Sequence, residues 1–273
     1  MDAFWIPVML GGLISGASTG VLGVYIVGMR IPFLGICVSH AALAGAVLGS
    51  LAGMNGPWLL LPALAGAVLA ALVLGMIDPH RMRVDTNTVL AVLFTLTMGL
   101  TFLGIGLMRN RGKSDNDILG LLWGSLLFCG WREVVLMLAA ALALLIFIIA
   151  CYKEMRAIMF DRQQAAAAGV HVGLVWTIFL ILVSVVLTVN FQTVGGLMIY
   201  SLIVCPAAAT FQLVKGYGRS LLLAACLGGI SGLGGFLIAY QTNLPTGAII
   251  VILASLIAAL AAIYRRLWSI SQS

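Results

Sequence analysis

Charge is what this chain has least of. Only 8% of its 273 residues are Asp, Glu, Lys or Arg, against 63% hydrophobic, and the mean hydropathy is +1.18. A soluble fold needs polar surface to cover its core, and there is too little of it here. Lipid must serve as the solvent. The apolar runs are long and do not alternate, so they read as helices rather than barrel strands. The five cysteines form no CxxC pair and no regular spacing, which argues against a disulfide framework; in apolar runs a free thiol behaves as a small hydrophobe. There is no GxxxxGK[ST] loop, so nothing cradles a nucleotide phosphate. No basic stretch precedes the first apolar run, which therefore reads as a retained span and not a cleaved leader. The formal net charge of +6 does not indicate nucleic acid, because the cations sit singly between apolar runs, where their role is topological.

What is present is a succession of spans, read at Phe4–Gly28, Ile31–Met54, Trp58–Ile77, Thr86–Met108, Val134–Cys151, Gly173–Asn190, Gly195–Leu213, Leu221–Tyr240 and Leu244–Tyr264. The apolar stretch Ile118–Phe128 is too short to cross and reads as interfacial or re-entrant. The expected fold is all-α and integral to the membrane, one permease-like domain over 1–273 with about eight or nine crossings. With the N-terminus outside and the C-terminus inside, ten of the fourteen Lys and Arg fall in inner loops, the distribution that the positive-inside tendency favours. The inner segment 152–172 is long enough to hold structure. Asp161 can cap a helix over RQQAAAA, and Gly169 can stop it. Such a helix suits docking into a soluble partner; a solvated connector is the plain alternative.

No carboxylate or lysine lies within a span. One histidine does, His40 in FLGICVSHAALAGAVLG (Phe33–Gly49), and an ionisable group at membrane depth is a functional candidate. Its alternative is a neutral imidazole bonded to a neighbouring helix. Ser39 beside it cannot act with it as a nucleophile–base pair, since adjacent helical residues point about 100° apart. One histidine without an acid argues against an intramembrane hydrolase, and a stand-alone secondary transporter, which would need carboxylates in its spans, is the other weaker rival. Irregular backbone is signalled at Gly195, Gly196 and Pro206; at membrane depth it is tolerated where it is buried or lines a cavity. Asp115, Asp117 and Glu133 gather with cations on the outer side, either as a cation entrance or as a solvated loop.

The order of these elements resembles the membrane-spanning permease of the metal-type ABC importers. The stretch Gly12–Gly49, with Gly23, Arg30, Phe33, Gly35, Ser39, His40, Gly45 and Gly49, is similar to that family's glycine-rich first span, inner arginine and FLGDALSHAALPGVALG pattern. DILGLLWGSLL (Asp117–Leu127), DRQQAAAAGV (Asp161–Val170), VGGLMIYSLIVCPAAAT (Val194–Thr210) and LPTGA (Leu244–Ala248) follow in register. The resemblance implies a helix arrangement like the vitamin B12-type (type II) importers, in the bacterial inner (plasma) membrane, embedded in lipid. Two copies would pair around a central path. Separate cytoplasmic ATPase subunits would bind and hydrolyse ATP, docking on the 154–172 coupling element through Asp161, Arg162, Ala165 and Gly169. An extracytoplasmic metal-binding protein would deliver the ion. The permease itself would be no enzyme and keep no permanent cofactor; its cargo would be a divalent metal, zinc first, then manganese or ferrous iron.

One departure bears on that cargo. The family pattern carries an aspartate four residues before the histidine, on the same helix face; here the position is Ile36. Hard cations prefer oxygen ligands, whereas zinc accepts nitrogen and sulfur. Cys37, His40 and Cys205 are therefore expected as a softer set, to which the second copy can contribute, with Ser39 beside them; cysteines that only pack are the plain alternative. A permease adapted to a non-metal substrate is the further alternative.

Overall fold

The computed structural model describes residues 5–76, 85–111, 126 and 129–270. Eleven α-helices occur among them. They are α1 (Ile6–Gly28), α2 (Phe33–Leu51), α3 (Leu60–Met76), α4 (Thr86–Asn110), α5 (Trp131–Ala150), α6 (Tyr152–Phe160), α7 (Arg162–Ala167), α8 (Val172–Val194), α9 (Gly196–Leu213), α10 (Tyr217–Thr242) and α11 (Thr246–Ile270). No strand occurs among the described residues. Eight of these helices are long and apolar enough to cross a membrane, and α9 is a shorter apolar helix. The all-α, multi-span expectation holds. The re-entrant reading of Ile118–Phe128 lies outside the described residues apart from Leu126.

Small residues decide which helices touch. Gly12, Gly16 and Gly20 recur every fourth position on α1, and Ala224, Gly228 and Gly232 do the same on α10. The two rows meet backbone to backbone. A Cβ added at Gly16 would strike the Gly228 carbonyl, and one at Gly228 would strike that of Gly16. Lipid tails are as apolar as leucine, so close backbone approach, not hydrophobic exclusion, brings such helices together. α1 packs most extensively on α10, α2 on α3 and α4, α9 on α11 and α1, and α3 on α8. Among the described residues, the one extensive partner of α4 is α2.

Buried side chains form two clusters. The larger one, around Tyr25, Cys37, Leu90, Phe147, Phe179 and Ile203, runs toward the end of the bundle that carries α6 and α7. A smaller one at the opposite end gathers Val8, Leu126, Cys129, Val194, Leu202, Phe236 and Ile250. Beneath that smaller cluster α8 turns into α9 at Gly195, which is buried with φ 92° and ψ 148°. A β-carbon is strongly disfavoured at that combination. Pro206 lies inside α9 without interrupting it; its ring denies the Leu202 carbonyl its usual helical donor.

Candidate functional site

Two places hold the residues singled out by sequence. The first is the middle of α2, a helix buried along most of its length. His40 is only 5% exposed, and its Nδ1 has no hydrogen-bond partner. Its ring meets Phe94 of α4 edge to face, with centroids 4.9 Å apart. Ser39 Oγ is likewise buried without a partner. Ile36, one turn before His40, is half-buried, so the 36/40 face of α2 lies near the surface of the subunit, under α4. Cys37 is wholly buried within the larger cluster. Cys205 Sγ lies 3.8 Å from Ser255 Oγ of α11. Among the described residues no three His, Cys, Asp or Glu side chains come close enough to share a metal ion, so a single subunit does not gather Cys37, His40 and Cys205. All five cysteines are free thiols. The threonines of α4 bond within their own helix, Thr95 Oγ1 to the Val92 carbonyl at 2.9 Å and Thr97 Oγ1 to that of Phe94 at 3.0 Å. What α4 presents to His40 is the aromatic ring of Phe94, which sequence reasoning passed over; helical spacing within α4 gives no sign of which residue faces α2.

The second place is the short pair α6–α7. One helix was expected, after Asp161; two form, with Asp161 extended between them. The Asp161 carboxylate accepts from Gln163 N at 2.7 Å and Gln164 N at 3.0 Å, which opens α7 as the sequence indicates. Gly169 takes φ 85° just past its end, the left-handed stop that glycine permits. Arg162 turns inward: its guanidinium carbon lies 3.9 Å over the Trp176 ring of α8, and burial pulls the guanidinium below its ordinary pKa. Ala165 is also buried against its own subunit. The exposed face of the pair instead carries Phe160, 84% exposed, with Gln163 and Gln164. A groove of about 690 Å³ separates α7 from the feet of α2, α3 and α4.

Of the outer candidates, Asp115 and Asp117 lie outside the described residues. Glu133 accepts from Gly130 N at 3.0 Å and so caps the start of α5.

The sequence profile of the ABC 3 transport family matches residues 1–265. The chain belongs to the ABC 3 transport family. This membership bears out the expected kinship with the permeases of metal-type ABC importers. Relatives of this ABC 3 chain include the "Manganese transport system membrane protein MntC" of Halalkalibacterium halodurans, 29% identical over 253 residues, covering 93% of this chain and 84% of that one. The protein of that name from Listeria innocua is 26% identical over 243 residues (89% and 84%). MntD of Bacillus subtilis, described in the same words, is 28% identical over 247 residues (85% and 82%). Among solved structures, the ABC 3 fold matches a chain of PsaBC from Streptococcus pneumoniae in complex with Fab. The TM-score is 0.81 at 21% identity, covering 96% of this chain and 91% of that one. It also matches an inward-facing metal-chelate type ABC transporter at TM-score 0.74 and 14% identity, covering 96% and 88%.

Proposed function

We propose that the chain is the membrane permease of an ATP-driven importer of divalent transition metals, with manganese ahead of zinc. The observation that carries this reading is the family match over nearly the whole chain, joined to one buried, unpartnered histidine on the second span. The names of the relatives favour manganese. The order expected from sequence, zinc first, leaned on a thiol–imidazole set that one subunit does not assemble. Without a carboxylate at position 36, His40 supplies a weak way-station, and affinity resides in the delivery protein; a path conducts only if its ion can leave.

In this reading two copies pair about a path bordered by the 36/40 face of α2, which one subunit leaves near its surface. The ATPases dock on Phe160, Gln163 and Gln164, and Gly195, Gly196 and Pro206 give α9 its freedom to bend. The cations near α6 and α7, Lys153, Arg156, Lys215 and Arg219 among them, favour that end as the cytoplasmic one, with the N-terminus outside in the bacterial plasma membrane.

Uptake of radiolabelled manganese and zinc into vesicles holding the permease, its ATPase and its delivery protein tests this. ATP-dependent manganese uptake that falls about tenfold in His40→Ala, the change expected when about 1.4 kcal/mol of binding to the ion in transit is lost, is the expected result. Uptake that persists without ATP on a proton gradient would return the secondary transporter. Uptake of neither metal would point to a permease adapted to a different substrate.

A further inference from the structure

The fit of Phe94 over His40 has a mechanical setting that extends the reading of His40 as path-lining, and the inference rests on that reading. His40 carries a buried nitrogen with no partner. A polar atom left so costs free energy and calls for a reason, such as a partner that it meets in another state. Among the described residues, the ring of Phe94 on α4 packs edge-on against the imidazole. Of the long helices, α4 has among the smallest buried share, and its one extensive partner is α2.

The hold of α4 differs between its two ends. At the end away from α6 and α7 a Cβ on Gly104 would collide with the Val47 side chain, so α4 and α2 are in tight contact there. At the other end Thr86, Val89 and Leu90 border the groove of about 690 Å³, across from Met159 to Gln163 and Ala166. Leu90 lies one helical turn from Phe94 on the same face. The foot of α4 is tied to the turn between α1 and α2 by one side-chain hydrogen bond, Asn87 Nδ2 donating to the Arg30 carbonyl at 2.9 Å. Arg30 holds that carbonyl from a left-handed backbone position, φ 60°. The helix is thus in tight contact at one end; at the other it is held by that hydrogen bond and by Leu90 in the larger cluster, beside open space shared with α7.

The geometry points to Phe94 as a gate residue that seals His40, with α4 as the lever that lifts it. The groove beside α7 is the space into which the foot of α4 moves when the ATPases shift the coupling element. In the sealed state the ring keeps the imidazole from any ion in the path. Swinging the foot of α4 withdraws the ring and presents Nδ1 to the cargo. Phe94 is a positioning residue: it binds no metal and controls when His40 can.

The test is histidine footprinting with diethyl pyrocarbonate, which acylates accessible imidazole nitrogen, read peptide by peptide in the mass spectrometer. The permease–ATPase assembly is held in lipid nanodiscs, and exposed His171 is the internal reference. In nucleotide-free wild type His40 should label far more slowly than His171. Phe94→Ala should raise the His40 rate by about tenfold, leaving His171 unchanged, while Phe94→Leu, which keeps most of the volume, should stay near wild type. An unchanged His40 rate in Phe94→Ala overturns the gate. If that variant fails to assemble, wild type decides: His40 labelling should rise between the nucleotide-free and ATP-analogue-bound assemblies, and equal rates in both overturn the proposal. None of these readouts uses transport. The role of His40 in the path stands or falls separately, on manganese uptake by His40→Ala.

Discussion

At Gly195 one residue does what no other could. Its backbone lies at φ 92° and ψ 148°, a combination that costs a residue with a β-carbon about 1–3 kcal/mol. The turn is buried, so neighbours hold it in place and water cannot relieve it. Gly195→Ala should therefore lower the melting temperature of the detergent-solubilised permease by several degrees, read by tryptophan fluorescence or scanning calorimetry. An unchanged melting temperature would mean that α8 and α9 can reorganise around the new side chain. The irregularity was legible in the sequence, because paired glycines followed by a proline interrupt an apolar run. His40 was legible for a similar reason: a lone ionisable group contrasts with an apolar background. The partner of His40 was not. Phe94 is one of many large apolar residues on α4, and nothing in its neighbours distinguishes the ring that touches α2 from those that face outward.

Among the elements, the same limit applies to every helix pair. In a soluble protein the apolar stripe of a helix shows which face is inward. Here the helices are apolar all round, so periodicity locates a span and leaves its orientation open. The glycine rows of α1 and α10 are the exception, since small residues at every fourth position mark a face for close approach. That the two rows meet each other is what the structure adds. Gly16→Leu would have to force the backbones apart along the most extensive contact in the bundle, and overpacking of this kind costs about 1–3 kcal/mol or more. Poor recovery of monodisperse permease, or a melting temperature well below wild type, is the expected outcome; Gly99→Leu on α4, where a Cβ meets open space, should be tolerated. The α6–α7 pair shows the opposite case. Asp161 and Gly169 announced the limits of α7 through capping chemistry that works in any setting. YKEMRAIMF, by contrast, is short and mixed in character and gives no sign of α6 by itself; contact with the bundle through Met155 and Ile158 makes it a helix.

Across the whole molecule, two contacts of the α6–α7 pair reach different parts of the bundle. Arg162 stacks on Trp176 and joins α7 to α8. At the second point Tyr25 of α1 and Tyr217 of α10 share a hydrogen bond of 2.6 Å, and the Tyr152 ring of α6 packs edge-on to Tyr217 at 4.8 Å. One fastening leads to the helix that ends in the Gly195 turn, the other to the glycine-packed pair. On the proposed coupling role of α6 and α7, a push on this pair reaches both halves of the bundle. Arg162→Ala should leave ATP hydrolysis by the assembled complex near wild type while metal uptake per ATP falls, because α7 can still meet the ATPase but no longer grips α8. Arg162→Lys should recover little, since an ammonium does not lie flat on an indole ring. Hydrolysis and uptake falling in parallel would place Arg162 in docking instead.

The covering of the Gly195 turn also bears on how the protein is made. Val8 emerges from the ribosome first, Cys129 near the middle, and Phe236 and Ile250 near the end, yet all sit in the cluster that encloses this turn. Until the last two helices are synthesised, the turn between α8 and α9 lacks Phe236 and Ile250 of that cluster. A chain stalled after Leu213 would thus leave this apolar cluster half-built beside the turn, a ready mark by which the membrane's quality-control proteases could tell unfinished copies from finished ones.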